Sequence, residues 1–320
     1  MIYGISAGIL WALETVVLGI ALSMMPAFSG GRGLFLAPFV STFIHDAFSA
    51  FYMWIYNGVR GNLRDVFRLF RTKDFIYLVI SSAIGGPVGM TGYVIAVNYA
   101  GSAIGAVTSA VYPAIGSVLA WIFLKEKIRR RQWIFLFFTL MGVYGLSFSS
   151  DVEVKNFWLG LSGAFMCAFG WGIEGVIVSK CLKGRINSDC ALLIRQSVSA
   201  AIYGFIIIPL LHGIGFTASL FNKENISALL IIAAAALFAS ASYLSYYRAI
   251  AKAGVSKAMG LNITYTAWTI VFSVILLRDF SILRFETIAC CTVVVICGIL
   301  AAADFDELFP NFRKDETEEL

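Results

Sequence analysis

Apolar residues along this chain fall into long continuous runs, and short polar stretches separate one run from the next. A helix that crosses a hydrocarbon core of ~30 Å needs ~20 apolar residues, and the runs have about that length. Cutting the chain at charges and turn residues predicts ten transmembrane helices in an all-α integral membrane protein. The predicted spans are 2–24, 34–57, 75–99, 102–124, 132–150, 158–181, 191–214, 226–250, 257–277 and 286–304.

Composition supports a membrane protein. Hydrophobic residues make up 59% of the 320 residues, charged residues only 13%, and the mean hydropathy is +0.84. A soluble domain carries roughly 25% charged residues, so the lipid bilayer is the expected surrounding of these helices. We expect no nucleic-acid partner, because the basic residues lie in short loops rather than on one soluble face. The first run starts at Ile2 with no basic stretch before it, so it is predicted to be a retained span.

The basic residues predict an orientation. Eighteen of the 24 lysines and arginines lie in loops on one side, five lie on the other, and Arg195 lies within a span. Cytoplasmic loops carry the excess of lysine and arginine, so both termini are predicted to be cytoplasmic, in the inner (plasma) membrane of a bacterium. The loop 58–74 fits either a short amphipathic helix on the inner leaflet or a plain basic anchor. Residues 305–320 form a polar cytoplasmic tail in this scheme.

The second half of the chain repeats the first. Three pairs of segments from corresponding spans carry the repeat: WALE (11–14) with WGIE (171–174), IHDAFSA (44–50) with IRQSVSA (194–200), and the segments that align Tyr112 with Tyr265.

The repeat predicts two five-helix units, 1–150 and 151–304. Each unit has an odd number of spans, so the two units must have opposite orientations in the membrane. Inverted repeats of this kind usually build alternating-access transporters with a binding site between the halves.

The closing segments of the two halves share a further pattern. Small-residue runs at 100–103 and 253–256 lead through an apolar helix to an acidic residue, in LKE and in LRD respectively. With the 5+5 plan, this resembles the EamA-type members of the drug/metabolite transporter superfamily, over residues 2–304. The family usually has proline at the helix kink; Pro113 fits this place, whereas the second half has Thr266. The resemblance implies a carrier of metabolites or drugs that hydrolyses no ATP and needs no cofactor.

Charged residues inside the spans are the candidate chemistry, because a charge in the membrane interior is costly and usually functional. Trp11 and Glu14 lie three residues apart and therefore share a helix face, as do Trp171 and Glu174. Two carboxylates with two indoles favour a cation site, since an indole face attracts cations. The alternative is that each glutamate is protonated and only hydrogen-bonds a neighbouring helix, with the tryptophan as packing.

Other residues inside the spans extend this candidate site. Aromatic residues able to complete a cage around a quaternary ammonium group are Tyr93, Tyr112, Tyr243, Tyr265 and Trp268. Candidates for proton coupling or gating are His45, Asp46 and Arg195. His45 and Asp46 are adjacent, so we expect one to face the cavity while the other pairs with a neighbouring helix. Arg195 is expected either to snorkel towards water or to form a gating ion pair. No metal site is expected.

The leading hypothesis is a secondary carrier for a small organic cation such as choline, driven by a proton gradient or the membrane potential. The repeated W-x-x-E pattern is similar to the bacterial choline-uptake branch of the superfamily. Two alternatives stay open: a proton-coupled exporter of amino acids, nucleobases or drugs, and a non-transporting membrane scaffold or intramembrane enzyme. The oligomeric state is expected to be monomer or homodimer.

Overall fold

A bundle of helices forms the protein. The computed structural model describes residues 1–28, 31–100, 110–147, 156–183, 186–278 and 280–303, and all regular structure within them is helical. In chain order the helices are α1 Ile2–Ser23, α2 Gly31–Val59, α3 Leu63–Leu69, α4 Lys73–Ala83, α5 Gly89–Ala100, α6 Tyr112–Leu124, α7 Arg130–Ser147, α8 Phe157–Leu182, α9 Ser188–Ile202, α10 Ile208–Leu210, α11 Ile214–Ser219, α12 Ile226–Ala253, α13 Val255–Asn262, α14 Tyr265–Leu277 and α15 Phe285–Ala302. Two π-helical turns, Ile84–Val88 and Tyr203–Ile207, join α4 to α5 and α9 to α10.

Among the described residues, eight helical segments are long and apolar enough to cross a membrane. They are Ile2–Ser23, Gly31–Val59, Lys73–Ala96, Phe157–Leu182, Ser188–Leu210, Ile226–Ala253, Val255–Leu277 and Phe285–Ala302. Each coincides with a predicted span, which confirms the all-helical membrane fold. The fourth and fifth predicted spans correspond to the shorter apolar helix α6 and to α7. Residues 102–109, Asp279 and the tail 305–320 lie outside the described residues, and the count of ten stays a prediction.

In both halves a helix begins at the equivalent tyrosine, although only the first half has proline next to it. Helix α6 begins at Tyr112 with Pro113 next, and α14 begins at the equivalent Tyr265. In the second half the hydroxyls of Thr264 and Thr266 donate to the backbone carbonyls of residues 261 and 263, at 2.7 and 3.0 Å. Threonine side chains thus satisfy carbonyls at the break, which explains how Thr266 replaces proline.

The helices of each half pack mainly on helices of the other half, and the two patterns match. Helix α1 packs on α12 and α14, and its counterpart α8 packs on α5 and α6. The equivalent helices α2 and α9 pack together, as do α7 and α15. Gly92 of α5 and Gly163 of α8 allow a close approach, because a Cβ on Gly92 would lie 2.6 Å from the Gly163 carbonyl oxygen.

The loops after α2, α6, α8 and α12 meet at one end of the bundle, as the charge pattern predicts. Asp189, at the start of α9, forms an ion pair with Arg248 of α12 at 2.9 Å. Glu126, after α6, accepts hydrogen bonds from the backbone N–H groups of Val255 and Ser256 and so caps the start of α13. The segment 58–74 contains the short helix α3, while its contact with a membrane stays a prediction. At the opposite end, Arg32 donates to the carbonyls of residues 211 and 212.

Candidate functional site

A cavity of about 320 Å³ lies between the two halves. Most of the residues singled out from the sequence line it: Trp11, Glu14, His45, Asp46, Tyr93, Trp171, Arg195, Tyr243 and Tyr265. They come from seven helices, α1, α2, α5, α8, α9, α12 and α14, and from both halves of the chain.

Trp11 of α1 is the centre of an aromatic cluster in this cavity. Its ring stacks on Tyr265, with centroids 4.8 Å apart and planes 12° apart. The ring of Tyr243 lies 6.0 Å away in a tilted orientation, and Trp171 lies 6.0 Å away edge-on. These contacts are within the range for attractive aromatic pairs, so the cluster is a preformed wall of ring faces and edges.

Trp171 of α8 has the equivalent set of partners in the other half. Its ring lies 6.2 Å from Tyr93 in a stacked orientation and 5.7 Å from Tyr112 at 89°. Tyr93 and Tyr243 come from corresponding helices, α5 and α12, just as Tyr112 and Tyr265 do. Each tryptophan therefore contacts two tyrosines, both contributed by the opposite half.

Glu174 is held by a buried arginine. Arg195 donates from Nε to Glu174 Oε1 at 3.0 Å, and the Tyr247 hydroxyl lies 3.5 Å from the same oxygen. The remaining guanidinium nitrogens donate to Gln196 Oε1 at 2.7 Å and to the Tyr243 hydroxyl at 3.2 Å. Arg195 is only 4% exposed, so it forms an ion pair rather than snorkelling to water.

Glu14 has a histidine as its neighbour instead. His45 Nε2 lies 3.4 Å from Glu14 Oε1, too poorly aligned for a hydrogen bond, and Thr15 Oγ1 lies 3.5 Å from Oε2. His45 Nδ1 is 3.0 Å from Asp46 Oδ1. Both residues line the cavity, and Asp46 in addition pairs with the neighbouring helix α9 through Ser199.

The repeat accounts for this arrangement. In the alignment of 44–50 with 194–200, His45 corresponds to Arg195, so the two glutamates have equivalent but chemically different partners. Two hydrogen bonds across the halves also correspond. Ser199 donates to Asp46 Oδ2 at 2.6 Å, and Gln196, the counterpart of Asp46, donates to Ser49 at 2.7 Å.

The buried charged residues of the site form a cluster whose positive and negative charges do not cancel. Its members are three carboxylates, one guanidinium and one imidazole: Glu14, Asp46, Glu174, Arg195 and His45, each less than 9% exposed. One positive charge therefore faces three acidic groups when the imidazole is neutral. Such a cluster holds additional positive charge, supplied either by protons or by a cationic ligand, since an uncompensated charge is unstable in a low-dielectric interior.

A second, much smaller cavity of about 20 Å³ lies on the other face of the aromatic cluster. The residues of α8 that line the small cavity are the repeat equivalents of the α1 residues that line the large cavity. The large cavity has Trp11, Glu14, Thr15 and Leu18, and the small one has Trp171, Glu174, Gly175 and Val178. Tyr112 lines the small cavity as Tyr265 lines the large one. The two cavities are thus counterparts in the repeat, one open and one nearly closed.

Glycines explain how α4 and α5 reach the buried acids. Gly85 and Gly86 lie in the π-helical turn Ile84–Val88. A Cβ on Gly85 would overlap the Glu174 carboxylate, and one on Gly86 would lie 2.6 Å from Ser199 Oγ. Only glycine leaves room for the Glu174–Arg195 pair beneath this turn.

The residues that line the two cavities differ in two ways from those chosen from the sequence. Trp268 of α14 lines neither the large nor the small cavity. Asn262 was not chosen from the sequence, yet it donates to the Tyr112 hydroxyl at 3.1 Å and lines the small cavity. Its only sequence signal is a polar residue within an apolar span.

An all-helical membrane bundle with a lined cavity between two similar halves is the architecture of a transporter rather than of an enzyme. The model of the EamA-like transporter family matches residues 1–148 and again 158–303. The chain belongs to the EamA-like transporter family, as its sequence pattern predicts.

Two further comparisons find a sequence relative and a solved structure of similar fold. The chain is 26% identical over 200 residues to protein LicB of Haemophilus influenzae; the match covers 62% of this chain and 66% of LicB, just under two thirds. A solved structure titled only as the crystal structure of a protein superposes with a TM-score of 0.71 at 15% identity. That match covers 94% of this chain and 95% of the other, so the whole fold is shared.

Proposed function

We propose that this protein is a secondary transporter that moves a small organic cation across the membrane by alternating access, with a choline-like quaternary ammonium compound as its cargo. The observation that carries the proposal is the cluster of tryptophan and tyrosine rings beside Glu14, a carboxylate for which the described part of the chain supplies no arginine or lysine within ion-pair distance. Family membership supports the transporter class, and the charge and aromatic lining of the large cavity support an organic cation as the cargo.

The charge of the cavity favours a cation over a zwitterion. A zwitterion such as an amino acid needs a cationic group for its carboxylate. The cavity's arginine, Arg195, is already bound to Glu174, Gln196 and Tyr243. Glu14 therefore offers a carboxylate for a positive ligand, while no unengaged arginine or lysine lines the described cavity for a negative one. This is the reason to prefer a cation carrier to an amino-acid exporter.

The aromatic rings favour a quaternary ammonium group within the class of cations. A trimethylated nitrogen donates no hydrogen bonds, so it is recognised by ring faces through cation–π attraction. Trp11, Trp171 and Tyr265 supply such faces and edges, whereas the ring of Tyr243 already has the guanidinium of Arg195 over it, 4.5 Å from its centroid. The cavity volume of about 320 Å³ is at the small end of the range for ligand pockets, which suits a compact molecule. The resemblance of the sequence to the choline-uptake branch points the same way.

Unequal counterpart cavities support alternating access. The large cavity runs along α1 from Trp11 towards Leu22, that is, towards the end of the bundle opposite the basic loops. The small one runs along α8 from Trp171 towards Val178 and the basic loops. With both termini in the cytoplasm, the large cavity would lie towards the outer side of the membrane, and exchange of the two cavity shapes between the inverted halves would open the inward path.

The membrane potential is a sufficient driving force for uptake. Moving one positive charge inward through 100 mV is worth ~2.3 kcal/mol, and a proton gradient is the other available source. We place the protein in the plasma membrane of a bacterium, as a monomer or homodimer with both termini inside.

The direct test is uptake of radiolabelled choline into proteoliposomes. Vesicles that contain the full-length protein are loaded with potassium and treated with valinomycin to make the interior negative. Uptake should exceed that of protein-free vesicles and increase with the imposed potential. Uptake equal to that of protein-free vesicles, with no choline binding to the purified protein, would reject choline as the cargo.

A further inference from the structure

A cavity of about 580 Å³ lies at the surface of the bundle, where α6 ends and α7 begins. We call it the α6 cavity. Its lining includes Trp121, Ile122, Lys125, Glu126, Lys127 and Arg129. None of these residues lines the large or the small cavity beside the aromatic cluster, so the candidate site does not account for this third cavity.

One wall of the α6 cavity is apolar and faces away from the bundle. Trp121 and Ile122 belong to the last turn of α6, and they are 60% and 53% exposed although both are hydrophobic. In a membrane protein such side chains contact lipid, and tryptophan is enriched at the level of the headgroups. This wall therefore lies at the boundary between acyl chains and headgroups.

The other wall of the α6 cavity is basic. Lys125, Lys127 and Arg129 are all exposed, and they lie in the segment 125–129 between α6 and α7. The acid of this segment, Glu126, compensates one of the three charges at most, and its carboxylate already accepts hydrogen bonds from the start of α13. The cavity therefore keeps an excess of positive charge that an anionic group would neutralise.

The repeat indicates that these charges are not needed for the chain turn itself. Lys125 and its counterpart Arg278 both have φ 54°, in the left-handed region, directly after α6 and α14. In the sequence, Arg278 is followed by Asp279 and by no further basic residue until Arg284. The same turn is thus made with three cations within five residues in one half and with a single cation in the other. The basic cluster therefore serves a purpose other than ending the helix.

We propose that the α6 cavity binds the headgroup of an anionic phospholipid, held by Lys125, Lys127 and Arg129. An acyl chain of the same lipid lies along Trp121 and Ile122. Lysine and arginine donate charge-assisted hydrogen bonds to phosphate oxygens, and basic pockets at the cytoplasmic side of membrane proteins bind anionic headgroups. A lipid fits this cavity better than a soluble phosphate does, because a small anion would contact the cations and leave the apolar wall without a partner. The site is independent of the cargo that the large cavity carries.

The experiment compares lipids that differ only in the charge of the headgroup. Purified full-length protein in detergent is mixed with phosphatidylglycerol or with phosphatidylethanolamine of the same acyl chains, and lipid binding is followed by native mass spectrometry and by thermal unfolding. Phosphatidylglycerol should remain bound and raise the melting temperature, because a ligand of the folded state stabilises it by mass action. Equal effects of the two lipids would overturn charge recognition. Soluble glycerol phosphate at the same concentration should have no effect, and the full effect from it would replace the lipid site with a site for free anions.

A matched pair of triple variants tests where the lipid binds. In the first variant Lys125, Lys127 and Arg129 are all replaced by glutamine. Its apparent affinity for phosphatidylglycerol should fall by more than about tenfold, since each basic residue near a membrane surface contributes to binding of anionic lipid.

The control variant has glutamine at Arg64, Arg71 and Lys73, three exposed residues of the loop 58–74. It removes the same number of positive charges from the same side of the bundle, and it should bind phosphatidylglycerol as the unaltered protein does. The readout is the difference between the two lipids within each variant, so a variant that melts at a lower temperature remains informative. Equal losses in the two variants would reduce the effect to a general attraction of the basic loops and overturn the site. A protein that moves no choline but binds phosphatidylglycerol in this way would leave the lipid site standing.

Discussion

Trp11 and Tyr265 stack with ring centroids 4.8 Å apart, although one belongs to the first half of the chain and the other to the second. The equivalent pair, Trp171 and Tyr112, is 5.7 Å apart and perpendicular. Equivalent residues thus adopt different ring geometries on the open and the closed side of the cluster. This difference is what a carrier with two alternating states requires of a duplicated site.

Replacing Trp11 should weaken choline binding. Trp11→Leu keeps an apolar side chain but removes the indole face, and a desolvated cation–π contact is worth ~1–2 kcal/mol. We expect the dissociation constant to rise about tenfold, measured by calorimetry or by thermal shift with choline. Trp268→Leu is the matched control, because Trp268 lines neither cavity. Equal losses in both variants would contradict the position of the cage.

Arg195 should matter more for stability than an exposed arginine. Arg195→Met leaves Glu174 and Asp46 buried without their cationic partner, and breaking a buried ion pair costs about 3–5 kcal/mol. Thermal unfolding in detergent should show a clearly lower melting temperature.

Arg68→Met provides the comparison for that variant. Arg68 and Asp65 form a pair whose side chains are 64% and 60% exposed, and such pairs contribute ~0–1 kcal/mol. Its melting temperature should stay close to that of the unaltered protein. A similar decrease in the two variants would show that the Arg195 network adds nothing beyond a surface pair.

Gly85→Ala should destabilise the protein although alanine favours helices. The added Cβ would overlap the Glu174 carboxylate, so either the π-helical turn or the ion pair with Arg195 must shift. We expect a lower melting temperature and weaker choline binding. Gly215→Ala is the control, since nothing lies within 4 Å of a Cβ there. A Gly85→Ala variant as stable as Gly215→Ala would mean that the helix approach at the turn is looser than described.

Cysteine accessibility should distinguish the two cavities. Leu18 lines the open cavity, and its counterpart Val178, 1% exposed, lines the closed one. With the six native cysteines replaced by alanine, Leu18→Cys should react rapidly with a charged methanethiosulfonate reagent, and Val178→Cys slowly. Faster labelling of Val178→Cys in detergent would indicate that the opposite state predominates in solution.

The sequence predicts the helices and most cavity residues because hydrophobic runs and repeated motifs are local signals. The pairing of Arg195 with Glu174 could not be predicted, since it depends on how α8 and α9 pack and which rotamers they allow. The sequence alignment does pair His45 with Arg195. Once the helix packing is known, this pairing indicates that His45 is the partner of Glu14 and Arg195 the partner of Glu174. Trp268 shows the opposite case: it is an aromatic residue inside a span, yet it lies outside both cavities, because position along the span does not decide which way a side chain faces.

The pairing of aromatic residues across the two halves has a consequence for truncated forms of the protein. Trp11 contacts Tyr243 and Tyr265, and Trp171 contacts Tyr93 and Tyr112, so each of these four pairs joins one half to the other. A fragment that ends after the first half therefore keeps one partner of each pair and none of the four contacts.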